Sequence, residues 1–272
     1  MSVAIVIPAR WASTRLPEKM LLSKTGWPLV RHVYEQAKKA MLADQVLIAT
    51  DDMRIYNAIK DFGGEVVMTD PNHPTGTDRL AEVAAKHLKG AELIVNVQGD
   101  EPELEPDRID ALIQLYQASN AAMATLVTRF PSNAIQGNGS PSDPNCVKAV
   151  LGAPVRRKDN HVLGYQALYF SRNLIPYPRD TQGVINNPTD YFMHLGVYAY
   201  SPDFLKKYVS LPQGRLELTE KLEQLRIIEN GYSIVAGVVD GAIPGVDTQE
   251  DYDNFVSRWK LRSQESEICI GS

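Results

Sequence analysis

The chain has 272 residues, 44% hydrophobic and 22% charged, with a formal net charge of −5. That length supports a sizeable core in one large domain or two, and the negative balance argues against a general affinity for nucleic acid or an anionic membrane. No stretch is apolar and long enough to span a bilayer, the first apolar run is too short for a secretory leader, and Cys146 and Cys269 suggest neither a disulfide framework nor a metal-ligand pair; a reducing cytoplasm is the expected compartment.

Residues 3–8 form an unbroken apolar, β-branched run that reads as a buried parallel strand. It ends in a loop holding Arg10, Arg15 and Lys19. Open α/β sheets bind ligands at the carboxyl ends of their strands, so three cations gathered there point to an anion, a triphosphate foremost; surface carboxylates are the plainer partners. Pro28 opens a helix near 28–41. Residues 45–50 read as a second strand, and Asp51 or Asp52 caps a helix that Gly63-Gly64 ends. A short strand at 66–68 precedes His73-Pro74-Thr75-Gly76-Thr77-Asp78-Arg79 and a helix to about Leu88, with Thr77 as its natural cap. Residues 93–97 are the clearest buried strand, and Pro106 opens a helix to about Gln117. This alternation predicts an α/β fold: a Rossmann-like, mostly parallel sheet with helices on both faces and right-handed crossovers.

The second half reads differently. Residues 132–145 form a long polar loop. Strands are expected at 147–151, 165–170, 195–200 and 234–239, and helices at 216–228 and 251–261. These parts extend the sheet and add a smaller substrate and dimerisation lobe. One domain is expected over 1–262: a nucleotide-binding part to about 130, the lobe over 131–240, and a closing helix over 241–262. The stretch 263–272 reads as a frayed tail.

Two lone carboxylates stand where chemistry could gather. Asp100, in Asn96-Val97-Gln98-Gly99-Asp100-Glu101-Pro102, lies just beyond the most apolar strand and suits Mg²⁺, a hard cation that prefers oxygen ligands. Gly99 there allows a close backbone approach. Asp247, in Gly245-Val246-Asp247-Thr248, either caps the last helix or completes a metal site with Asp100. Thr75 and Gly76, at a helix start, suit a base or phosphate held by backbone N–H groups, or ordinary capping.

Taken together, IPARWASTRLPEKML, ATDD, GGEVVMT, HPTGTDRLAE, VNVQGDEP, NCVKAVL, ALYFSRNLIPYPRD, HLGVYAY, LEQLR and GVDTQED resemble the 3-deoxy-manno-octulosonate (Kdo) cytidylyltransferases, or CMP-Kdo synthetases. The stretches are collinear with that family over nearly the whole chain. The resemblance implies a homodimeric, Mg²⁺-dependent cytoplasmic enzyme. It would join CTP and Kdo into CMP-Kdo and pyrophosphate for lipopolysaccharide or capsule assembly. Residue by residue, it implies that Arg10, Arg15 and Lys19 hold the triphosphate and that Thr75, Gly76, Arg79 and Gln98 surround the cytidine. Asp100 and Asp247 would ligate Mg²⁺, with Lys19, Arg15 and Asp100 carrying catalysis. Arg172, His194, Tyr198, Glu223 and Gln224 would face the sugar acid. On their own, these five residues also fit a strand-end cation, half-buried packing and a solvated helix face.

The chain departs from the family at Glu18, where glycine is usual, at Met20 in place of proline, and at Pro74-Thr75 in place of Gln-Ser. Glutamate beside Arg15 and Lys19 would repel phosphate unless it turned outward, and it resists positive φ. Two other readings keep the site: a cytidylyltransferase for a related sugar acid, such as an amino-Kdo or a nonulosonate, and a non-catalytic nucleotide-binding homologue. A glycosyltransferase of similar layering would be expected to carry Asp-x-Asp, and Gln98-Gly99-Asp100 lacks the first acid.

Overall fold

The computed structural model describes residues 1–13, 15–241 and 245–270, with side chains described to Arg262. Two compact units share these residues. One holds 4–89, 96–106 and the described residues from 245 on; the other holds 1–3, 90–95 and 107–241.

The first unit is built on β1 (Val3–Ala9), β2 (Gln45–Thr50) and β3 (Val66–Met68), in the order β3-β2-β1 with both pairings parallel. All seven residues of β1 are buried, as expected of a strand covered on both faces. The helices α1 (Leu29–Ala37), α2 (Met53–Asp61) and α3 (Gly76–His87) follow the predicted alternation. α2 buries Ile55 and Ile59, one turn apart. Asp52, not Asp51, caps α2 by accepting the Arg54 N–H at 2.8 Å. α3 starts earlier than the sequence suggests: Thr75 is its cap and Thr77 lies inside the first turn. α8 (Gln249–Ile270) extends beyond the predicted 251–261.

The second unit contains β4 (Leu93–Asn96), α4 (Pro106–Gln117), β5 (Met123–Arg129), β6 (Lys148–Arg156), β7 (Val162–Ser171), β8 (Phe192–Tyr200), α5 (Pro202–Tyr208), α6 (Arg215–Glu220), α7 (Gln224–Glu229) and β9 (Ile234–Val239). Its strands run β4-β8-β5-β9-β7-β6, with β6 also meeting β8. β5 and β9 are parallel; β5–β8, β6–β7, β6–β8 and β7–β9 are antiparallel. β5 and α5 lie outside the elements read from the sequence, and the single helix predicted at 216–228 is two. Lys221 takes φ 55° and ends α6, so the chain turns before α7. Among the described residues, no helix is long and apolar enough to cross a membrane.

Candidate active site

In the first unit, apolar anchors bring distant charges together. Leu16, just after Arg15, is buried with Leu29, Val246, Tyr252, Phe255 and Val256. This cluster seats the loop after β1 and the segment before α8. Val246 N–H donates to the Asp100 carbonyl at 2.7 Å. A Cβ on Gly245 would come within 3.2 Å of the same oxygen, which favours glycine there. Asp100 and Asp247 are thereby set side by side. Lys19 Nζ lies 2.6 Å from Asp100 Oδ2 and 3.0 Å from Asp247 Oδ1, and Arg15 Nη2 lies 3.0 Å from Asp247 Oδ1. Two carboxylates and two cations make a self-neutral group; Lys19 is buried, whereas Arg15 is 67% exposed at its side chain.

Glu18 adopts φ 56°, ψ 22°, the left-handed conformation that glycine takes without strain. Its carbonyl accepts the Leu21 N–H at 2.8 Å, starting the 3₁₀ turn Lys19–Leu21 that turns Lys19 inward. The Glu18 side chain is exposed, and its charge raises the Arg54 pKa after the larger effect of Asp52. Arg54 lies over the Trp11 ring, 3.3 Å from its centroid. Gly99 is required by the protein itself: a Cβ there would lie 2.8 Å from the Pro8 carbonyl and 3.0 Å from Met20 Sδ.

Arg10, expected at the triphosphate, and the residues expected around the base divide. Arg10 Nη2 approaches Gly76, 3.8 Å from where a Cβ would stand. Thr75 Oγ1 donates to Asp78 Oδ2 at 2.8 Å while capping α3. Gln98 is half-buried, and its carbonyl accepts the Glu101 N–H. Arg79 is not a surface cation. It is fully buried, with Nη2 2.7 Å from Asp51 Oδ2 and Nη1 hydrogen-bonded to Thr69 Oγ1, so it braces the ends of β2 and β3 from inside. Burial lowers its pKa, and Asp51 opposes that.

The second unit carries Arg172, His194, Tyr198, Glu223 and Gln224. Arg172 follows β7; its Nε donates to the Glu220 carbonyl at 2.7 Å and its Nη1 to the Pro144 carbonyl at 3.1 Å. The His194 ring lies 5.0 Å from Phe170 and 5.5 Å from Tyr198, centroid to centroid. Burial lowers its pKa to about 3, so the ring is neutral at physiological pH. The β5–β8 register skips after Thr125, and the Thr125 hydroxyl lies 2.8 Å from the Val197 carbonyl and 3.0 Å from His194 Nε2. A hydroxyl has one proton to give. With that proton on Val197, Nε2–H donates to Thr125 and Nδ1 is left as an acceptor. Glu223 precedes α7, and Gln224 is buried with its Nε2 unpaired among the described residues.

Several supporting residues escaped the sequence reading. Asp51 accepts both Arg79 and the Trp11 N–H at 3.1 Å, tying the cationic loop to β2. Glu82 accepts the Asp70 N–H at 3.0 Å and meets His73 Nε2 at 2.5 Å, which fastens the loop before Thr75 onto α3. Burial pushes the Glu82 carboxyl up, but hydrogen bonds from Lys86, Asp70 and His73 prevail and hold it at about 2. The available signal was ATDD itself, a carboxylate immediately after a buried strand.

The sequence profile of the cytidylyltransferases matches residues 4–234. A 3-deoxy-manno-octulosonate cytidylyltransferase of Rhodopirellula baltica is 44% identical over 262 residues, covering 95% of this chain and 98% of the relative. One of Parabacteroides distasonis is 44% identical over 253 residues, covering 93% and 96%. The structure of a CMP:2-keto-3-deoxy-manno-octonic acid synthetase complexed with CTP superposes with a TM-score of 0.83 at 37% identity, covering 97% of this chain and all of that one.

Proposed function

The chain belongs to the 3-deoxy-manno-octulosonate cytidylyltransferase family, and we propose that it transfers CMP from CTP to the anomeric hydroxyl of Kdo, giving CMP-Kdo and pyrophosphate. The observation that carries this reading is the convergence of Lys19 and Arg15 on Asp100 and Asp247. The reaction needs positioning and charge neutralisation rather than a covalent enzyme intermediate. Lys19 and Arg15 exchange their carboxylate partners for the triphosphate and hold the departing pyrophosphate. Arg10, near Gly76, adds a third cation to the phosphate loop. Thr75, Gly76 and Gln98 frame the cytidine, with Arg79 bracing their surroundings from inside.

Asp100 and Asp247 fit Mg²⁺. Their oxygens already meet around one ammonium at 2.6 and 3.0 Å, and Mg²⁺ is commonly held by one or two carboxylates, with phosphates and water completing the shell. Bound there, Mg²⁺ would supply charge stabilisation at the α-phosphate and lower the pKa of the attacking hydroxyl. On the sugar side, the Arg172 guanidinium suits a carboxylate, the neutral His194 accepts at Nδ1, and Tyr198, Glu223 and Gln224 suit sugar hydroxyls. We place the enzyme in the cytoplasm as a homodimer serving lipopolysaccharide or capsule assembly.

The test is pyrophosphate release from CTP and Mg²⁺, with and without Kdo, against UTP and ATP. Release that requires both CTP and Kdo is expected. Release only with another sugar acid would change the substrate, and binding of CTP without release under any sugar acid would overturn the catalytic reading.

A further inference from the structure

Lys148 is fully buried at the start of β6, and the proposed reaction gives it no role. Its ammonium donates to three backbone carbonyls: Asp143 at 2.8 Å, Cys146 at 2.6 Å and Arg172 at 2.6 Å. An ammonium has three N–H donors and no acceptor, so these contacts satisfy it fully. Burial lowers its pKa, partly offset by Cys146, Asp143 and Glu220.

The position of Lys148 matters as much as its charge. Its backbone is in register with Ser171 of β7 on one side and Met193 of β8 on the other. Arg172 and His194 each lie one residue beyond those partners, and His194 N–H donates to the Val147 carbonyl at 2.8 Å. The ammonium fixes the backbone at both ends of a loop, Asp143 and Cys146, and that loop's Pro144 carbonyl accepts Arg172 Nη1. Glu220 completes the frame by taking the Arg172 N–H at 2.9 Å and the Ser171 hydroxyl at 2.7 Å. Nε and Nη1 of Arg172 are therefore committed to carbonyls, while Nη2 has no hydrogen-bond partner among the described residues.

We propose that Lys148 is a positioning residue for recognition of the sugar acid: it holds Arg172 in the orientation that grips the substrate carboxylate. The proposal rests on the reading of Arg172 given above. Truncating Lys148 orphans three carbonyls at once and releases the loop that supports the guanidinium, and none of these carbonyls belongs to Arg10, Arg15 or Lys19.

The experiment is steady-state kinetics of Lys148→Met, Lys148→Arg and Arg172→Met, with Kdo and with the Kdo analogue whose carboxylate is a carboxamide. Lys148→Met is expected to raise KM for Kdo about tenfold or more, since small misplacements of a clamp are costly. KM for CTP should stay within about twofold, and the preference for carboxylate over carboxamide should collapse. Lys148→Arg keeps the charge, but its planar fork cannot address three converging carbonyls. It should raise KM for Kdo by a smaller factor, and it decides the matter if Lys148→Met does not fold. A folded variant with a lower Tm but unchanged KM and unchanged carboxylate preference would mean a structural role only and overturn the proposal. If Arg172→Met leaves KM for Kdo unchanged, the reading of Arg172 fails, and the proposal with it.

Discussion

Lys19 Nζ and Asp100 Oδ2 stand 2.6 Å apart although 81 positions separate them in the chain. The same ammonium reaches Asp247, so one lysine fills the place where two carboxylates would hold a divalent cation. On the proposed reading, lysine and metal would compete for the same oxygens. Lys19→Met should tighten Mn²⁺ binding by the nucleotide-free protein, measured by electron paramagnetic resonance, while turnover falls by about 10²–10³-fold through loss of charge stabilisation. Mn²⁺ binding that is unchanged or weaker would remove the two carboxylates from the metal site.

Glu18 occupies the left-handed region at φ 56°. A non-glycine residue there costs roughly 1–2 kcal/mol, and glycine gives back part of that through the entropy of the unfolded chain. Glu18→Gly should therefore stabilise the protein by roughly 0.5–1 kcal/mol in urea unfolding. Because the side chain is exposed and its field reaches Arg54, KM for CTP should change by no more than about twofold. A markedly tighter KM would mean that Glu18 opposes the triphosphate after all.

Much of this organisation was legible because it depends on local pattern. The run that makes β1, a cap at Asp51 or Asp52 and the lone carboxylate after β4 all follow from residue type and order, while the choice of Asp52 needed the structure. β5 was not legible, because Thr125 and Thr128 break its apolar run; both are buried. Thr125 is satisfied by the irregular register opposite β8, which no local pattern announces. Lys221 ends α6 in a conformation usually marked by glycine, so the 216–228 spacing looked continuous. Burial of Arg79 and Lys148 was hidden for a related reason: Asp51 for Arg79, and the Arg172 carbonyl for Lys148, are partners set by tertiary structure.

The Arg79–Asp51 pair gives a stability prediction. Arg79 is fully buried and Asp51 nearly so, and removing one member leaves an uncompensated charge in the interior. Arg79→Met should cost about 3–5 kcal/mol, and Arg79→Met with Asp51→Asn should recover part of that loss. If the double variant is as unstable as the sum of the two singles, the pair is not the source of the effect.

His32 sets an acid limit. It is buried among Trp27, Phe255 and Trp259, with Nε2 2.6 Å from Thr25 Oγ1. Burial, and secondarily Arg31, lower its pKa from 6.5 to about 4. The folded state resists protonation, so the stability contribution is complete above pH 6.5 and is lost as pH falls toward 4. The loss should reach roughly 2–3 kcal/mol. His32→Phe should flatten this segment of the stability–pH curve; the same slope in both proteins would assign it to other groups.

We propose that Thr125, 3.0 Å from Nε2, sets which nitrogen of His194 carries the proton. If its proton goes to the Val197 carbonyl at 2.8 Å or the Leu195 carbonyl at 3.2 Å, its oxygen accepts from Nε2–H, and on the proposed reading Nδ1 would accept from a sugar hydroxyl. Thr125→Val removes that acceptor and strands a buried N–H, at a cost of about 1–3 kcal/mol. Long-range ¹⁵N–¹H spectra of the imidazole should show the Nε2–H form in the parent and in Thr125→Ser, and a shift toward Nδ1–H in Thr125→Val. KM for the sugar acid should rise with that shift while KM for CTP holds. An unchanged tautomer in Thr125→Val would mean that the ring is fixed by its packing on Phe170 and Tyr198 rather than by the hydroxyl.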